Sequence, residues 1–200
     1  MKRILAFALA VLMIACLFGC EEEKKQKEVE PFNPSSTYYA DIVIKNYGTI
    51  TVLLDQSAAP ITVENFVKLA RQGYYDGLTF HRIIEGFMMQ GGMNAKNPAD
   101  NITGEFASNG IENPLKHTRG AISMARSTDK NSASSQFFIM HKDKSHLDGE
   151  YACFGYVTTG IEIVDAICEG VQPTDNNGSI PSEQQPVIET VTIREIKAEQ

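Results

Sequence analysis

The stretch of sequence that decides the fold is Phe80-His81-Arg82-Ile83-Ile84-Glu85-Gly86-Phe87-Met88-Met89-Gln90-Gly91-Gly92. Residues 79–84 and 87–90 are short runs rich in aromatic and aliphatic side chains, and such runs favour strands. Glu85-Gly86 lies between them and predicts a turn. We therefore predict two short strands joined by a turn, with Arg82 on the first strand.

Further segments of the same kind lie on both sides of this stretch. Strands are predicted over residues 40–44, 49–54, 121–125, 136–140, 152–157 and 187–196. A first helix is predicted to begin at Pro60, where the missing N–H costs nothing, and to end at Gly73. A second is indicated around residues 163–167 and ends at Gly170. Many short strands with two helices predict a mainly β fold, a closed antiparallel β-barrel, rather than alternating βα units.

Two more stretches narrow the interpretation. The first is Thr118-Arg119-Gly120-Ala121-Ile122-Ser123-Met124-Ala125-Arg126, which leads into Asn131-Ser132-Ala133-Ser134-Ser135-Gln136-Phe137-Phe138-Ile139. The second is His146-Leu147-Asp148-Gly149-Glu150-Tyr151-Ala152-Cys153-Phe154-Gly155. In this order and at these spacings, the three stretches resemble the cyclophilin family of peptidyl-prolyl cis–trans isomerases. The resemblance covers residues 38–197, including the Pro60 helix.

This resemblance implies a closed eight-stranded antiparallel barrel capped by two α-helices, with a substrate groove on its outer face. It implies Pro-containing or unfolded polypeptides as substrate and no cofactor. Arg82 matches the catalytic arginine of the family. The residues that match the proline pocket, its polar contacts, the groove and its rim are Phe87, Met88, Gln90, Ala125, Arg126, Gln136, Phe138, His146, Leu147 and Tyr151.

The chemistry of prolyl isomerisation suits these residue types. Rotation about an amide must break its partial double bond, against a barrier of roughly 18–20 kcal/mol. No covalent bond is cleaved, so neither a nucleophile nor a general base is required. The prolyl nitrogen regains a lone pair in the twisted transition state, and a guanidinium donor aimed at it is favoured there over the planar ground state. An apolar pocket would fix the ring and exclude water.

Other functions fit the sequence less well. A net charge of −7 argues against nucleic acid as a partner. The four histidines have no metal-ligand spacing, and no nucleophile elbow supports Ser-His-Asp hydrolysis. Taken alone, the pocket residues would more often be core residues and Arg82 a surface arginine, but the joint match favours the groove. The alternatives that stay open are a non-catalytic module that binds Pro-rich segments, as a chaperone or scaffold, and a cell-surface adhesin.

Three departures from the family bear on binding. His146 stands where many cyclophilins carry Trp, and an imidazole offers less apolar contact than an indole. We therefore expect weak cyclosporin binding with isomerase activity retained. Glu85 replaces a common Pro, which should change only the stiffness of the turn, and the loop over residues 126–135 carries extra charge beside the adjoining subsite.

The first twenty residues are different in kind. Lys2 and Arg3 precede an apolar run over residues 4–18, which is shorter than the roughly 20 residues that span a bilayer. Residues 17–20 resemble a bacterial lipobox, which predicts a signal peptide over residues 1–20 and lipidation of Cys20. Cys16 is a weaker candidate for lipidation, and an ordinary cleaved signal or an uncleaved anchor are the alternatives.

The rest of the chain divides into a tether and one domain. Residues 21–37 are charged and contain Pro and Ser, which predicts a flexible tether. Residues 38–197 form the isomerase domain. We expect an exported monomer, anchored to the bacterial membrane by lipid on the extracytoplasmic side, that assists the folding of exported proteins. Cys153 and Cys168 are predicted to be free, buried and inert.

Overall fold

The computed structural model describes residues 30–197, so the predicted leader, Cys20 and most of the predicted tether lie outside the described residues. Two α-helices are found in the described range, α1 (Pro60–Arg71) and α2 (Ile161–Gly170). The strands are β1 (Thr37–Ile44), β2 (Gly48–Leu54), β3 (Phe80–Ile84), β4 (Met88–Gly91), β5 (Ala121–Met124), β6 (Phe137–Met140), β7 (Cys153–Thr159) and β8 (Ile188–Ile196). Neither helix, nor any other helix over residues 30–197, is long and apolar enough to cross a membrane.

All eight strands form one antiparallel sheet, in the order β3-β4-β6-β5-β7-β2-β1-β8. The prediction of a closed barrel is wrong, because the sheet is a curled half-barrel with β3 and β8 at its edges. The two edges approach each other where these strands begin, at the isolated bridge between Thr79 and Val187, and Phe80 N–H donates to Pro186 O at 2.9 Å. Further along β3, the chain that lies beside it is a loop, with Ile83 N–H donating to Gly178 O at 2.8 Å. The loop takes the hydrogen bonds that β8 would need to close the barrel.

The sheet buries apolar side chains on both of its faces. The larger core lies inside the curl, where Phe66 of α1 packs with Phe137 at a ring-centroid distance of 5.5 Å. A second cluster, the outer cluster, lies on the opposite face and consists of Met88, Ala121, Phe138, Met140, Leu147 and Cys153. Strand β6 is therefore buried on both faces, with successive residues serving different clusters.

Helix α1 begins at Pro60, as predicted, but a distant side chain caps it. Its N-cap residue Ala59 has no side-chain oxygen. Instead the buried Glu105 carboxylate accepts the N–H groups of Ile61 at 3.0 Å and Thr62 at 2.8 Å. A carboxylate is favoured there because the first N–H groups of a helix lack partners within the helix.

The last residues of the predicted tether lie against the domain. The ring of Phe32 stacks on Tyr38 with the centroids 5.0 Å apart. Gln56 Nε2 donates to Pro34 O at 2.7 Å, and Arg71 Nη1 donates to Glu30 O at 2.8 Å. The part of the tether from Glu30 onward is thus held by hydrogen bonds from domain side chains to its backbone carbonyls and by aromatic stacking.

The two cysteines of the domain are buried free thiols, as predicted. Burial raises the pKa of Cys153 to about 12 and that of Cys168 to about 12. A thiol is nucleophilic only as the thiolate, so both are inert at neutral pH.

Candidate active site

A β-bulge turns Arg82 toward the outer face of the sheet. Phe80 and Ile83 both lie in the inner core although they are three residues apart, and regular strand alternation would place them on opposite faces. The register between β3 and β4 shifts between Phe80 and Arg82, which is where the extra residue is accommodated. Bulges of this kind change the direction of a side chain within a strand. Here the bulge places Arg82 beside the outer cluster.

Strand register then brings three predicted site residues into one row. Arg82 pairs with Gln90 across β3 and β4, and Gln90 pairs with Phe138 across β4 and β6. Gln90 Nε2 also donates to Gln136 Oε1 at 3.1 Å, which links the row to the residue before β6. Residues that are far apart in sequence therefore form a continuous surface of one cation, two amides and one aromatic ring.

This row borders a pocket of about 150 Å³ on the outer face. The residues that line the pocket are Arg82, Phe87, Met88, Gln90, Ala125, Arg126, Phe138, Leu147 and Tyr151. Each of them is a predicted site residue. Gln136 does not line it but is hydrogen-bonded to the lining residue Gln90, and the exposed His146 lies beside it, 6.4 Å from Phe87 between ring centroids.

Two neutral acceptors hold the guanidinium of Arg82. Nε donates to the backbone carbonyl of Asn177 at 2.8 Å, and Nη1 donates to Gln90 Oε1 at 3.3 Å. Over residues 30–197, Arg82 makes no salt bridge and its Nη2 has no acceptor. Burial lowers the pKa of Arg82 from its ordinary value, but a guanidinium remains protonated at neutral pH. The positively charged guanidinium therefore borders the pocket, and its Nη2 donors are unpaired in the described structure.

Arg126 contributes its side chain to the pocket wall. Nε and Nη2 both donate to Glu150 O, at 3.0 and 2.9 Å. Its Cζ lies 4.7 Å from the centroid of the Tyr151 ring and 5.1 Å from that of Phe106. With its donors occupied and its plane against two rings, Arg126 acts as a wall, and Arg82 is the arginine whose donors remain available.

Known proteins share both the sequence and the fold of this domain. The family model described as "Cyclophilin type peptidyl-prolyl cis-trans isomerase/CLD" matches residues 39–198. The chain is 37% identical to the peptidyl-prolyl cis-trans isomerase A of Dickeya dadantii over 189 residues, which covers 90% of this chain and 93% of that protein. The chain belongs to the cyclophilin family.

Two further family members support the assignment. The chain is 45% identical to the peptidyl-prolyl cis-trans isomerase B of Bacillus subtilis over 132 residues, which covers 64% of this chain and 89% of that protein. A crystal structure of a Cryptosporidium parvum cyclophilin, determined in the presence of the dipeptide Ala-Pro, superposes with a TM-score of 0.67 and 30% identity. That match covers 78% of this chain and 98% of the other. By family membership this chain is a peptidyl-prolyl isomerase.

Beneath the pocket of this cyclophilin lies a buried polar group that the sequence reasoning missed. His117 Nδ1 lies 3.1 Å from Asp148 Oδ1, and His117 Nε2 lies 3.1 Å from Ser123 Oγ. The imidazole stacks on Phe138 with centroids 6.0 Å apart. Burial lowers the pKa of His117, although Asp148 acts in the opposite direction. A neutral imidazole thus supports the pocket floor.

The order of these residues resembles a hydrolytic triad, but the surroundings exclude that chemistry. Ser123 and the side chain of His117 are both fully buried, at 0% exposure. A substrate in the outer pocket has no access to the serine oxygen. No short motif links the three positions, so only their contacts in the folded chain reveal the group.

Proposed function

We propose that this chain accelerates rotation about Xaa-Pro bonds in exported polypeptides, with Arg82 as the donor to the twisting amide. The observation that carries the proposal is the setting of the Arg82 guanidinium. It borders an apolar pocket of about 150 Å³ and is held by neutral acceptors rather than by a carboxylate. An arginine with a purely structural role would be expected to form a salt bridge with an acidic side chain.

The proposed mechanism uses the difference between the planar and the twisted amide. As the bond turns, conjugation is lost and the prolyl nitrogen becomes a hydrogen-bond acceptor. The Nη2 donors of Arg82 would then bind that nitrogen or the neighbouring carbonyl. Since this interaction is stronger in the transition state than in the ground state, it lowers the barrier.

The pocket would hold the proline ring while the other half of the amide turns. Phe87, Met88, Phe138 and Leu147 supply the apolar walls, and Tyr151 lies edge-on to Phe138 with centroids 5.8 Å apart. The Cryptosporidium parvum relative was crystallised in the presence of Ala-Pro, a ligand of the expected class.

We propose further that the isomerase is a monomer attached by lipid at Cys20 to the extracytoplasmic side of the bacterial membrane. Support comes from the sequence, in which Lys2 and Arg3 precede an apolar run that ends in Leu17-Phe18-Gly19-Cys20. Export delivers chains unfolded, and uncatalysed prolyl isomerisation takes on the order of tens of seconds at 25 °C. An isomerase at the membrane would act on exported chains as they fold.

The activity is tested by following cis–trans exchange of an Ala-Pro peptide by NMR magnetisation exchange. The full chain, purified in detergent, is compared with Arg82→Ala. Loss of one charge-assisted donor in a shielded site is worth about 2.7–4 kcal/mol, so the variant should lose roughly 100- to 1,000-fold in rate. Peptide affinity should be largely retained, because the apolar walls are unchanged.

Two results would contradict the proposed activity. A wild-type chain that binds Pro-containing peptides without accelerating exchange would favour the non-catalytic binding module. An Arg82→Ala variant with full activity would show that the barrier is lowered by other groups. The anchor is tested separately by labelling cells with radioactive palmitate, which should mark the wild-type chain but not Cys20→Ala.

A further inference from the structure

The loop that follows α2 runs along the edge of β3 and supplies one of the two oxygen acceptors of Arg82. Ile83 N–H donates to Gly178 O at 2.8 Å, and Ile180 N–H donates to His81 O at 3.0 Å. Between these two bonds, Ser179 forms an isolated bridge with Arg82. The loop is thus paired to the catalytic strand on both sides of the arginine.

One side chain, Asp175, organises the turn of this loop. Its Oδ1 accepts the backbone N–H groups of Asn177 at 2.9 Å and Ser179 at 3.0 Å, and its backbone carbonyl accepts Gly178 N–H at 3.1 Å. These hydrogen bonds, first among them the one from Ser179, lower the pKa of Asp175 below its ordinary value. The carboxylate therefore stays ionised at neutral pH and keeps the turn closed.

The closed turn directs the carbonyl of Asn177 at Arg82 Nε, 2.8 Å away. Gly178 is needed next to it, because its φ of +87° is in the left-handed region and an added Cβ would lie 2.8 Å from Ile83 O. The turn is therefore packed closely against β3 at Gly178. If the Asn177 carbonyl moved away, the 3.3 Å bond to Gln90 would be the remaining oxygen anchor of the guanidinium in the described structure.

We propose that Asp175 is a positioning residue of the isomerase, which fixes the turn so that the Asn177 carbonyl aims the Arg82 guanidinium into the pocket. The inference rests on the proposed role of Arg82. A guanidinium held at Nε and at Nη1 presents Nη2 in one direction. A guanidinium held at one point turns about its side-chain bonds and presents its donors in several. Small misplacements of a reacting group cost catalysis up to about 100-fold without weakening ground-state binding.

Loss of a positioning residue should lower kcat and leave KM nearly unchanged. In Asp175→Ala, kcat should fall by about 10- to 100-fold while KM changes by less than about threefold, since the pocket walls do not touch Asp175. Asp175→Asn should recover most of the rate, because an amide oxygen still accepts the two backbone N–H groups of the turn. The signal of Arg82 Nε–H in ¹⁵N NMR should shift in the alanine variant and return in the asparagine variant.

A matched control lies at the start of α1. Asp55 Oδ1 accepts the N–H groups of Ser57 and Ala58, each at 3.1 Å, which is the same kind of turn away from Arg82. Asp55→Ala should lower the melting temperature and leave kcat within about twofold of wild type, because the hydrogen bonds it removes stabilise a turn that does not contact Arg82. All variants are made in the full chain in detergent and assayed well below their melting temperatures.

A double-mutant cycle decides whether Asp175 acts through Arg82. In the Arg82→Ala background, Asp175→Ala should change the residual rate by less than about twofold, because there is no guanidinium left to position. The inference is overturned if Asp175→Ala keeps its full kcat, if Asp175→Asn is as slow as Asp175→Ala, or if the two losses multiply. These outcomes presuppose an active wild type. An inactive wild type overturns the proposed function and the inference together.

Discussion

Replacement of Arg82 by lysine separates the charge at the site from its geometry. A guanidinium carries five N–H donors in a planar fork, and two of them are bound to Asn177 O and Gln90 Oε1. The donors of Nη2 therefore point to the pocket while the rest of the group is held. Lysine keeps the positive charge but places its three donors on one atom. Its ammonium cannot satisfy both acceptors and still reach a prolyl nitrogen in the pocket.

The expected loss of rate in Arg82→Lys follows from the loss of these oriented donors. If the oriented donor is what lowers the barrier, lysine should forfeit nearly the whole contribution of about 2.7–4 kcal/mol, and Arg82→Lys should be slower than wild type by roughly 100-fold or more. If charge alone sufficed, the ammonium would preserve most of the rate. Peptide affinity should change by less than about threefold in either case, because uniform binding depends on the apolar walls.

The assay is the exchange rate of an Ala-Pro peptide at concentrations above and below KM, with thermal unfolding of each protein as a check on the fold. Arg194→Lys is the matched control. Arg194 binds Asp41 through Nε at 2.6 Å and Nη2 at 3.1 Å, on β8 and β1. Such an exposed pair contributes about 1 kcal/mol or less, so the control should keep its activity.

The reasoning would be refuted by an Arg82→Lys variant that retains a third or more of the wild-type kcat, with Arg194→Lys unchanged. Positive charge near the pocket would then be sufficient. The hydrogen bonds that Arg82 donates to Asn177 O and Gln90 Oε1 would have no bearing on catalysis, and the proposed positioning role of Asp175 would be refuted as well.

Three further predictions concern the pocket and its support. Phe138→Ala should lower the free energy of unfolding by about 3 kcal/mol in urea titrations, because the ring is buried in the outer cluster at 5% exposure; a loss below 1 kcal/mol would contradict this packing. Burial lowers the pKa of His117 below 6.5, so the unfolded chain binds a proton that the folded chain rejects. The stabilising contribution of neutral His117 is full above pH 6.5 and is lost as the pH falls toward the pKa of His117 in the folded chain. In His117→Gln, the slope of unfolding free energy against pH below 6.5 should therefore be flatter, by up to about 1.4 kcal/mol per pH unit, and an unchanged slope would show that His117 does not titrate this way. Cyclosporin should inhibit the wild type weakly and His146→Trp about tenfold better, because an indole adds apolar contact beside Phe87; sub-micromolar inhibition of the wild type would exclude this role of His146.

Local patterns predicted much of the fold. The start of α1 at Pro60 and the strands predicted over residues 79–84 and 136–140 are close to the observed bounds. The prediction of a closed barrel was wrong because closure requires hydrogen bonds between the edge strands β3 and β8. The backbone groups along the edge of β3 bond instead to the loop around Gly178. The cap of α1 was missed for a related reason, since Glu105 lies far from the helix in sequence.

Sequence alone determined the family of this protein, because that depends on side-chain identities that recur at set spacings, and the residues it predicted for the site include every residue that lines the outer pocket. The tertiary structure decided how the pocket is built. The bulge before Arg82, the carbonyl of Asn177 that lies 95 residues away in the chain, and the neutral His117 under Phe138 all come from register and burial. Every residue type carries the same backbone carbonyl, so the sequence does not indicate which carbonyl will bind Arg82. A register shift likewise has no sequence motif of its own. Their effect on Arg82 is fixed only when the strands and the loop pack together.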